Sequence, residues 1–385
     1  MTLLEETKTL LGELIAFPTV STDSNLGLIR HLAEKLGAAG AKVEIGQDAT
    51  GAKANLFATI GPVRDGGIVL SGHTDVVPVT DQDWTTDPFV MAERDGRLYG
   101  RGACDMKGFI AAAVAMAPRF AAARPQRPLH FAFTYDEETG CLGAQALAAE
   151  LKRKGLKPAV AIIGEPTSMQ IIEGHKGCCE YTTRFTGLEG HGSAPERGVN
   201  AVEYAARYVV KLLELKEALK VRAPEKSRFD PPWTTINTGS LNGGTVHNVI
   251  PGKARVEWEM RPVQASDSGF VKDRLDGYCA AELLPAMQAV HPSASIETEV
   301  IGEVAGLEPM AESEARGLMA ELTGANAADV VPFGTEAGIF QELGISTVVC
   351  GPGSIAQAHK PDEYISISQL EQCLAMLERL VPKLT

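Results

Sequence analysis

Basic charge is in short supply. Lysine and arginine number 36 against 49 aspartates and glutamates, which leaves a net charge of -13. That balance argues against a nucleic-acid surface and against an anionic membrane as partner. It leaves open a small anionic ligand, because one local arginine can bind an anion inside an acidic protein. Long apolar runs are lacking too, and no stretch is long enough to span a bilayer. The opening residues, Met1-Thr2-Leu3-Leu4-Glu5-Glu6, have neither the basic start nor the apolar core of a secretory signal, so none is expected. Cysteine is sparse and unpatterned: there are seven, an odd number, with no CxxC spacing, and Cys178 directly precedes Cys179. Disulfides are therefore not expected, and a reducing, cytoplasmic setting fits best.

What is present is ordinary globular material, 44% hydrophobic and 22% charged over 385 residues. A chain of this length exceeds one compact core, so two domains are expected. Thr2 followed by Glu5 reads as a capping box before an amphipathic helix carrying Leu10, Leu11, Leu14 and Ile15. A second helix runs from about Leu26 to Ala39. Strands and helices then alternate: Ile68-Val69-Leu70, Lys107 to Ala123, Leu129 to Thr134, Thr139 to Lys154, Ala159 to Ile163. This is an α/β pattern. After Gly177 the pattern changes to strands with one long helix from Asn200 to Lys220. The strands Thr234 to Leu241 and Ala254 to Met260 are expected to meet at an Asn242-Gly243-Gly244 turn. Alternation returns with the Ala311 to Leu322 helix, the Asp329 to Val331 and Thr347 to Cys350 strands, and the Ser368 to Leu380 helix. The simplest arrangement is an α/β domain of residues 1–177 and 291–385, interrupted by an α+β insert of residues 178–290.

In open α/β sheets ligands sit at the carboxyl ends of strands. Four predicted strand ends carry chemistry here: Ser71-Gly72-His73-Thr74-Asp75, Asp136-Glu137-Glu138-Thr139-Gly140, Gly164-Glu165-Pro166-Thr167, and Gly351-Pro352-Gly353 with His359 beyond. A glycine-rich loop, Gly100 to Gly108, places Asp105 just before a helix. Taken singly, each residue has a plainer reading. His73 and His359 fit ordinary core or loop histidines, Asp105 a helix cap, Glu165 a helix-start charge, and Asp136-Glu137-Glu138 a solvated turn. Together they bring imidazoles and carboxylates without thiolate to one sheet edge. That combination suits zinc or cobalt with positions open to water. Carboxylates crowded in one cleft cannot all be anions unless cations lie between them, and two divalent ions would resolve the conflict.

The stretches Gly72 to Pro78, Gly102 to Gly108, Asp136 to Gly140 and Gly164 to Thr167 resemble, in order, the motifs of the M20 metallopeptidase family. The likeness spans nearly the whole chain. It implies a zinc-peptidase-like catalytic domain, with a mixed sheet flanked by helices, and an inserted lid and dimerisation domain. It implies that His73 and Glu165 bind one ion, that Glu138 and His359 bind the other, and that Asp105 bridges them ahead of a cis peptide. Asp75 would orient His73, and Glu137 would be the general base for a water activated by two metals. His191, Asn248 and Arg261 would belong to the part that closes over the substrate, with His191 reaching the neighbouring subunit of a homodimer. Glu173 to Gly177, Gly190 to Ser193, Arg197 to Ala201, Gly334 to Ala337 and above all Gly351 to Tyr364 resemble the branch that hydrolyses N2-acetyl-L-ornithine to L-ornithine and acetate, a step in arginine biosynthesis. Within that reading Arg261 would clamp the α-carboxylate. Glu336, beside Thr335, would accept the δ-ammonium, its plainer role being a helix-start acid. The alternatives are desuccinylation of succinyl-diaminopimelate, a broader N-acyl-amino-acid hydrolysis, or a non-catalytic binding protein retaining the fold.

Overall fold

A computed structural model describes residues 1–385. The chain divides into two compact units, one of Met1–Gly174, Pro309–Val330 and Thr335–Thr385, the other of His175–Glu308 and Val331–Gly334. The first unit is built on an eight-stranded mixed sheet. Its middle is four parallel strands in the order Leu129–Thr134, Ile68–His73, Val160–Pro166 and Ser346–Gly351. These strands are buried along almost their whole length. Near-continuous Val, Ile and Leu runs such as Ile68-Val69-Leu70 and Ala161-Ile162-Ile163 are what a sheet covered on both faces requires. Because the strands are parallel, their carboxyl ends lie on one edge, and all four predicted chemistry-bearing segments begin there.

The helices have local causes. Thr2 caps Leu3–Ile15, its Oγ1 accepting the Glu5 N–H. Asn25 precedes Leu26–Ala38, but its side chain is used elsewhere, donating to Ala54 O and Thr74 Oγ1 and accepting from Ala54 N–H. It thereby fastens a loop to the strand end that carries His73. The Gly108–Ala122 helix is almost entirely apolar and is the buried centre of its layer, packed against Leu3–Ile15 and Ile367–Leu380. The helix expected from Thr139 starts three residues later, at Leu142. Gly140 and Cys141 both take positive φ, 112° and 55°, so residues 136–141 form a turn and Glu137 and Glu138 stay outside the helix.

The second unit is a four-stranded antiparallel sheet in the order Thr235–Gly243, Lys253–Arg261, Cys178–Thr186, Ser295–Val304, backed by the Ala201–Val221 helix. Tyr181 stacks on Trp258 with ring centroids 4.4 Å apart, beside Phe185, Tyr208 and Leu212. Two expectations change. The expected insert ended at 290, whereas this unit continues to Glu308, because Ser295–Val304 pairs along Cys178–Thr186. The Asn242-Gly243-Gly244 turn does not form: Asn242 and Gly243 remain paired with Arg255 and Ala254. The chain between the strands is longer than a tight turn because it carries Val249–Ile250, which pairs with Gly190–His191.

Candidate metal centre and active site

Each side chain on the sheet edge is set by the strand or turn below it. His73 ends its strand completely buried, with Nδ1 2.9 Å from the Asp75 carbonyl oxygen. A carbonyl only accepts, so Nδ1 carries a proton, and Nε2 is the nitrogen that faces the Asp105 carboxylate. The Asp75 carboxylate is farther from the ring, at 3.6 Å. It accepts instead from Ser21 Oγ at 2.7 Å and from the N–H groups of Glu137 at 3.0 Å and Glu138 at 3.3 Å. Asp75 thus meets the His73 ring through its main-chain carbonyl. Its carboxylate fixes the turn bearing the next two acids.

Asp105 lies between the two histidines. One of its oxygens is 2.9 Å from His73 Nε2 and the other 3.3 Å from His359 Nε2. Glu165 Oε1 lies 3.8 Å from His73 Nε2, and Glu138 Oε1 lies 3.2 Å from His359 Nε2. Donor atoms of His73, Glu137 and Glu165 cluster within 4.8 Å of one another, as do those of His73, Asp105 and Glu138. The Asp105–Met106 peptide is cis. Burial and neighbouring carboxylates push Glu137 and Glu165 well above the ordinary carboxylate range, and Glu138 in the same direction. A site where acids must protonate to coexist, with a carboxylate offering one oxygen to each imidazole, fits two divalent cations.

Around this centre are contacts that the sequence alone did not assign. Lys53 Nζ bonds Asp136 Oδ1 and the Ser21 carbonyl, both at 2.6 Å, closing the turn from below. Cys141 Sγ lies 3.6 Å from Glu137 Oε1. Glu363 stands near the end of the Gly351 to Tyr364 stretch, and its buried carboxylate receives the backbone of the Asp105 loop. The signal for Glu363 was present as an acid next to a ligand candidate, without a partner visible along the chain.

Two substrate-binding expectations are corrected. Glu336 is fully buried, accepting from Ser71 Oγ at 2.5 Å and Thr134 Oγ1 at 2.8 Å. Both carboxylate oxygens are engaged with hydroxyls of the central strands, so Glu336 offers nothing to a substrate ammonium. Thr335 is also buried, and its Oγ1 accepts the Ala337 N–H at the start of the Ala337–Glu342 helix. In the second unit, His191 is exposed and its Nδ1 accepts the Ser193 N–H at 3.2 Å. Its proton therefore sits on Nε2, leaving an outward donor. The exposed Asn248 is adjacent, its carbonyl accepting the Gly192 N–H. Arg261 is not free: Nε and Nη2 both donate to Glu259 Oε2, at 3.0 and 2.7 Å.

Residues 69–383 match the model of the Peptidase family M20/M25/M40. The chain is 37% identical to an acetylornithine deacetylase of Proteus mirabilis, covering 96% of this chain and 94% of that protein. It is 38% identical to one of Myxococcus xanthus, covering 96% and 95%. In fold it is similar to an M20 family metallo-carboxypeptidase from Sulfolobus solfataricus, with a TM-score of 0.74, 18% identity and 99% of both chains covered. It is also similar to a dinuclear metal binding M20 peptidase from Bacillus subtilis, with a TM-score of 0.66, 16% identity, and 99% and 98% covered.

The charge pattern sets a pH dependence. Hydrogen bonds donated to the carboxylates of Asp105 and Glu138 raise His359 from 6.5 to about 10. A raised basic group stabilises the fold fully below its unfolded pKa, and that contribution is lost as pH rises through the folded value. The raised Glu137, Glu138 and Glu165 act in the same direction, since the folded state keeps protons that the unfolded chain has released. Asp105 and Asp75, both lowered, oppose this only at acid pH, below their ordinary value of 3.8. The Tm lead of chelator-treated wild type over chelator-treated His359→Ala should therefore shrink between pH 6.5 and about 10, whatever buried Lys107, lowered to about 7, adds to both proteins in that range. Added divalent ions should flatten the wild-type trend by supplying the positive charge. A lead that grows across this window, or a wild-type trend that ions leave unchanged, would contradict the assignment.

Proposed function

The chain belongs to peptidase family M20/M25/M40, and from that membership we infer that it is a metal-dependent amidohydrolase that removes the acetyl group from N2-acetyl-L-ornithine, releasing L-ornithine and acetate. The substrate follows from the deacetylases that match this chain along almost their whole length. The observation that carries the site assignment is Asp105, with one oxygen toward His73 and the other toward His359, beside the high-pKa carboxyl of Glu137. His73 and Glu165 would hold one ion, Glu138 and His359 the other, with Asp105 shared. Zinc is the ion we propose, with cobalt as the alternative, since the set is imidazole and carboxylate without thiolate.

Bound divalent ions polarise an acyl carbonyl and lower the pKa of water. Glu137 takes the proton from the attacking water and returns it to the leaving amine. Burial and the neighbouring carboxylates raise its pKa, which makes it a stronger acceptor for the water's proton. Asp75 keeps Glu137 in place through its bond to the Glu137 N–H. His191 would donate Nε2–H to the oxyanion that forms on the carbonyl. Arg261 would exchange Glu259 for the substrate α-carboxylate, a bidentate arrangement its guanidinium already adopts in part. With Glu336 enclosed, the ornithine preference must come from other residues.

We place the enzyme in the cytoplasm; no helix is long and apolar enough to cross a membrane, and all seven cysteines are free. We also propose a homodimer through the second unit, whose sheet ends in two edge strands, Thr235–Gly243 and Ser295–Val304. The latter exposes Val300 and Ile301.

Three experiments test this reading. In a substrate panel, kcat/KM should be highest for N2-acetyl-L-ornithine, above acetylmethionine and succinyl-diaminopimelate. Glu137→Gln should keep its metal and lose about 100- to 10,000-fold in kcat, with KM changing less. A preference for the succinyl substrate, or near wild-type turnover by Glu137→Gln, would overturn the substrate or the base respectively. Mixing inactive His191→Ala with inactive Glu137→Gln should restore part of the activity if His191 serves the partner's site. No recovery after proven subunit exchange would remove that role.

A further inference from the structure

The two halves of the metal centre differ in how they are built. His73 and Glu165 stand on adjacent parallel strands and are buried. His359 is half exposed, takes a positive φ of 62°, and lies in a loop. Asp105 also stands off the sheet, in the glycine-rich segment before the Gly108–Ala122 helix. Something must fix these two segments against each other if His359 and Asp105 are to share an ion.

Glu363 is placed to do this. Its carboxylate is 1% exposed and accepts from four donors. Oε1 takes the N–H groups of Cys104 at 2.9 Å and Asp105 at 3.1 Å. Oε2 takes the N–H of Gly102 at 3.0 Å and Arg101 Nη1 at 2.7 Å. Its own carbonyl accepts the Gly100 N–H at 2.9 Å. The three loop N–H groups, turned inward where Gly102 has a positive φ of 80°, would otherwise be unpaired in the interior. The far side of the same network returns to His359. Arg101 Nη2 donates to Gln82 Oε1 at 2.6 Å, and Gln82 Nε2 donates to the His359 carbonyl at 3.0 Å. The guanidinium lies over the Trp84 ring, and Asp362 accepts both the N–H and hydroxyl of Thr85. Just beyond, Tyr364–Ser366 pairs with Arg97–Tyr99, so the two chain segments run on as one small sheet.

We propose that Glu363 is a positioning residue that, through the Asp105 backbone and the Arg101–Gln82 relay, sets the spacing between Asp105 and His359 and so determines the affinity of the ion held on the His359 side. The proposal rests on the two-metal reading above. An ion pair that only stabilised the fold would not need to grip the backbone N–H of the bridging residue, nor end on the carbonyl of the opposite ligand. Glutamine at this position keeps the shape but replaces one accepting oxygen by a donating NH2 facing N–H groups, and it removes the charge opposite Arg101. The loop would then lose its register.

The test is zinc titration of the full-length, chelator-treated protein against a chromophoric chelator, with cobalt absorption reporting ligand geometry and thermal melts reporting the fold. Wild type should bind two ions. Glu363→Gln should weaken the second by about 10- to 100-fold, the scale for residues that orient ligands, while the first changes far less. Glu363→Asp, which keeps the charge but shortens the reach, should recover part of the loss. Gln82→Met should weaken the second ion alone, which keeps the proposal testable if Glu363→Gln does not fold. Wild-type protein that binds fewer than two ions would refute the two-metal reading itself. Wild type that binds two, with the variants binding both equally well whatever their Tm, would refute the role of Glu363.

Discussion

Buried negative charge at the carboxyl ends of the parallel strands is the constraint on which the rest of the first unit depends. Asp105, Glu137, Glu138 and Glu165 converge on one pair of histidines, with donor atoms a few ångströms apart. Two unit charges about 4 Å apart repel by about 4 kcal/mol even at an effective dielectric near 20. Several such pairs together rival the about 5 to 15 kcal/mol that holds a typical domain folded. The acids must therefore share protons or surround cations. The raised carboxyl pKa values and the raised His359 are both expressions of that demand. The same demand raises Glu137 above the ordinary carboxylate range, since it sits where burial and its neighbours disfavour its charge.

A cluster of this kind holds its shape only if the groups behind it are satisfied. The Asp75 carboxylate takes the two N–H groups of the Glu137-Glu138 turn, and Lys53 ties the same turn to the Ser21 segment. Asn25 and Thr19 fasten the Thr74 end of the His73 strand. Glu336, under the sheet edge, bonds hydroxyls two residues before His73 and two before Asp136. Glu363 gathers the loop that carries Asp105. In each case a residue outside the proposed ligand set places its hydrogen bonds on the backbone or strand that aims a proposed ligand, which is how side chains on different elements reach a common centre.

Much of this was legible in the sequence, for physical reasons. Apolar runs ending in Gly-His or Gly-Glu mark buried parallel strands, and the convergence of their ends follows from parallel order. His73 and Glu165 meet on that account, and the turn and loop segments carrying Glu138, Asp105 and His359 come to the same edge. What failed to show was long-range pairing. Glu336 read as an acid at a helix start with room for a substrate cation. Its partners Ser71 and Thr134 lie on strands far off along the chain, so its enclosure had no local sign. Glu363 read only as an acid near His359 for the same reason, its donors being more than 250 residues away. The Asn242-Gly243-Gly244 turn misled because local turn chemistry gave no hint that the following segment makes its own ladder beside His191. The pairing of Arg261 with Glu259 is short in sequence, but it depends on which face of the strand both occupy.

The most direct measurement is anomalous diffraction at the zinc edge from crystals grown with zinc. Two peaks should flank Asp105, one against His73 and Glu165 and the other against Glu138 and His359. A single peak, or zinc bound away from these side chains at full loading, would contradict the charge-driven account of the centre.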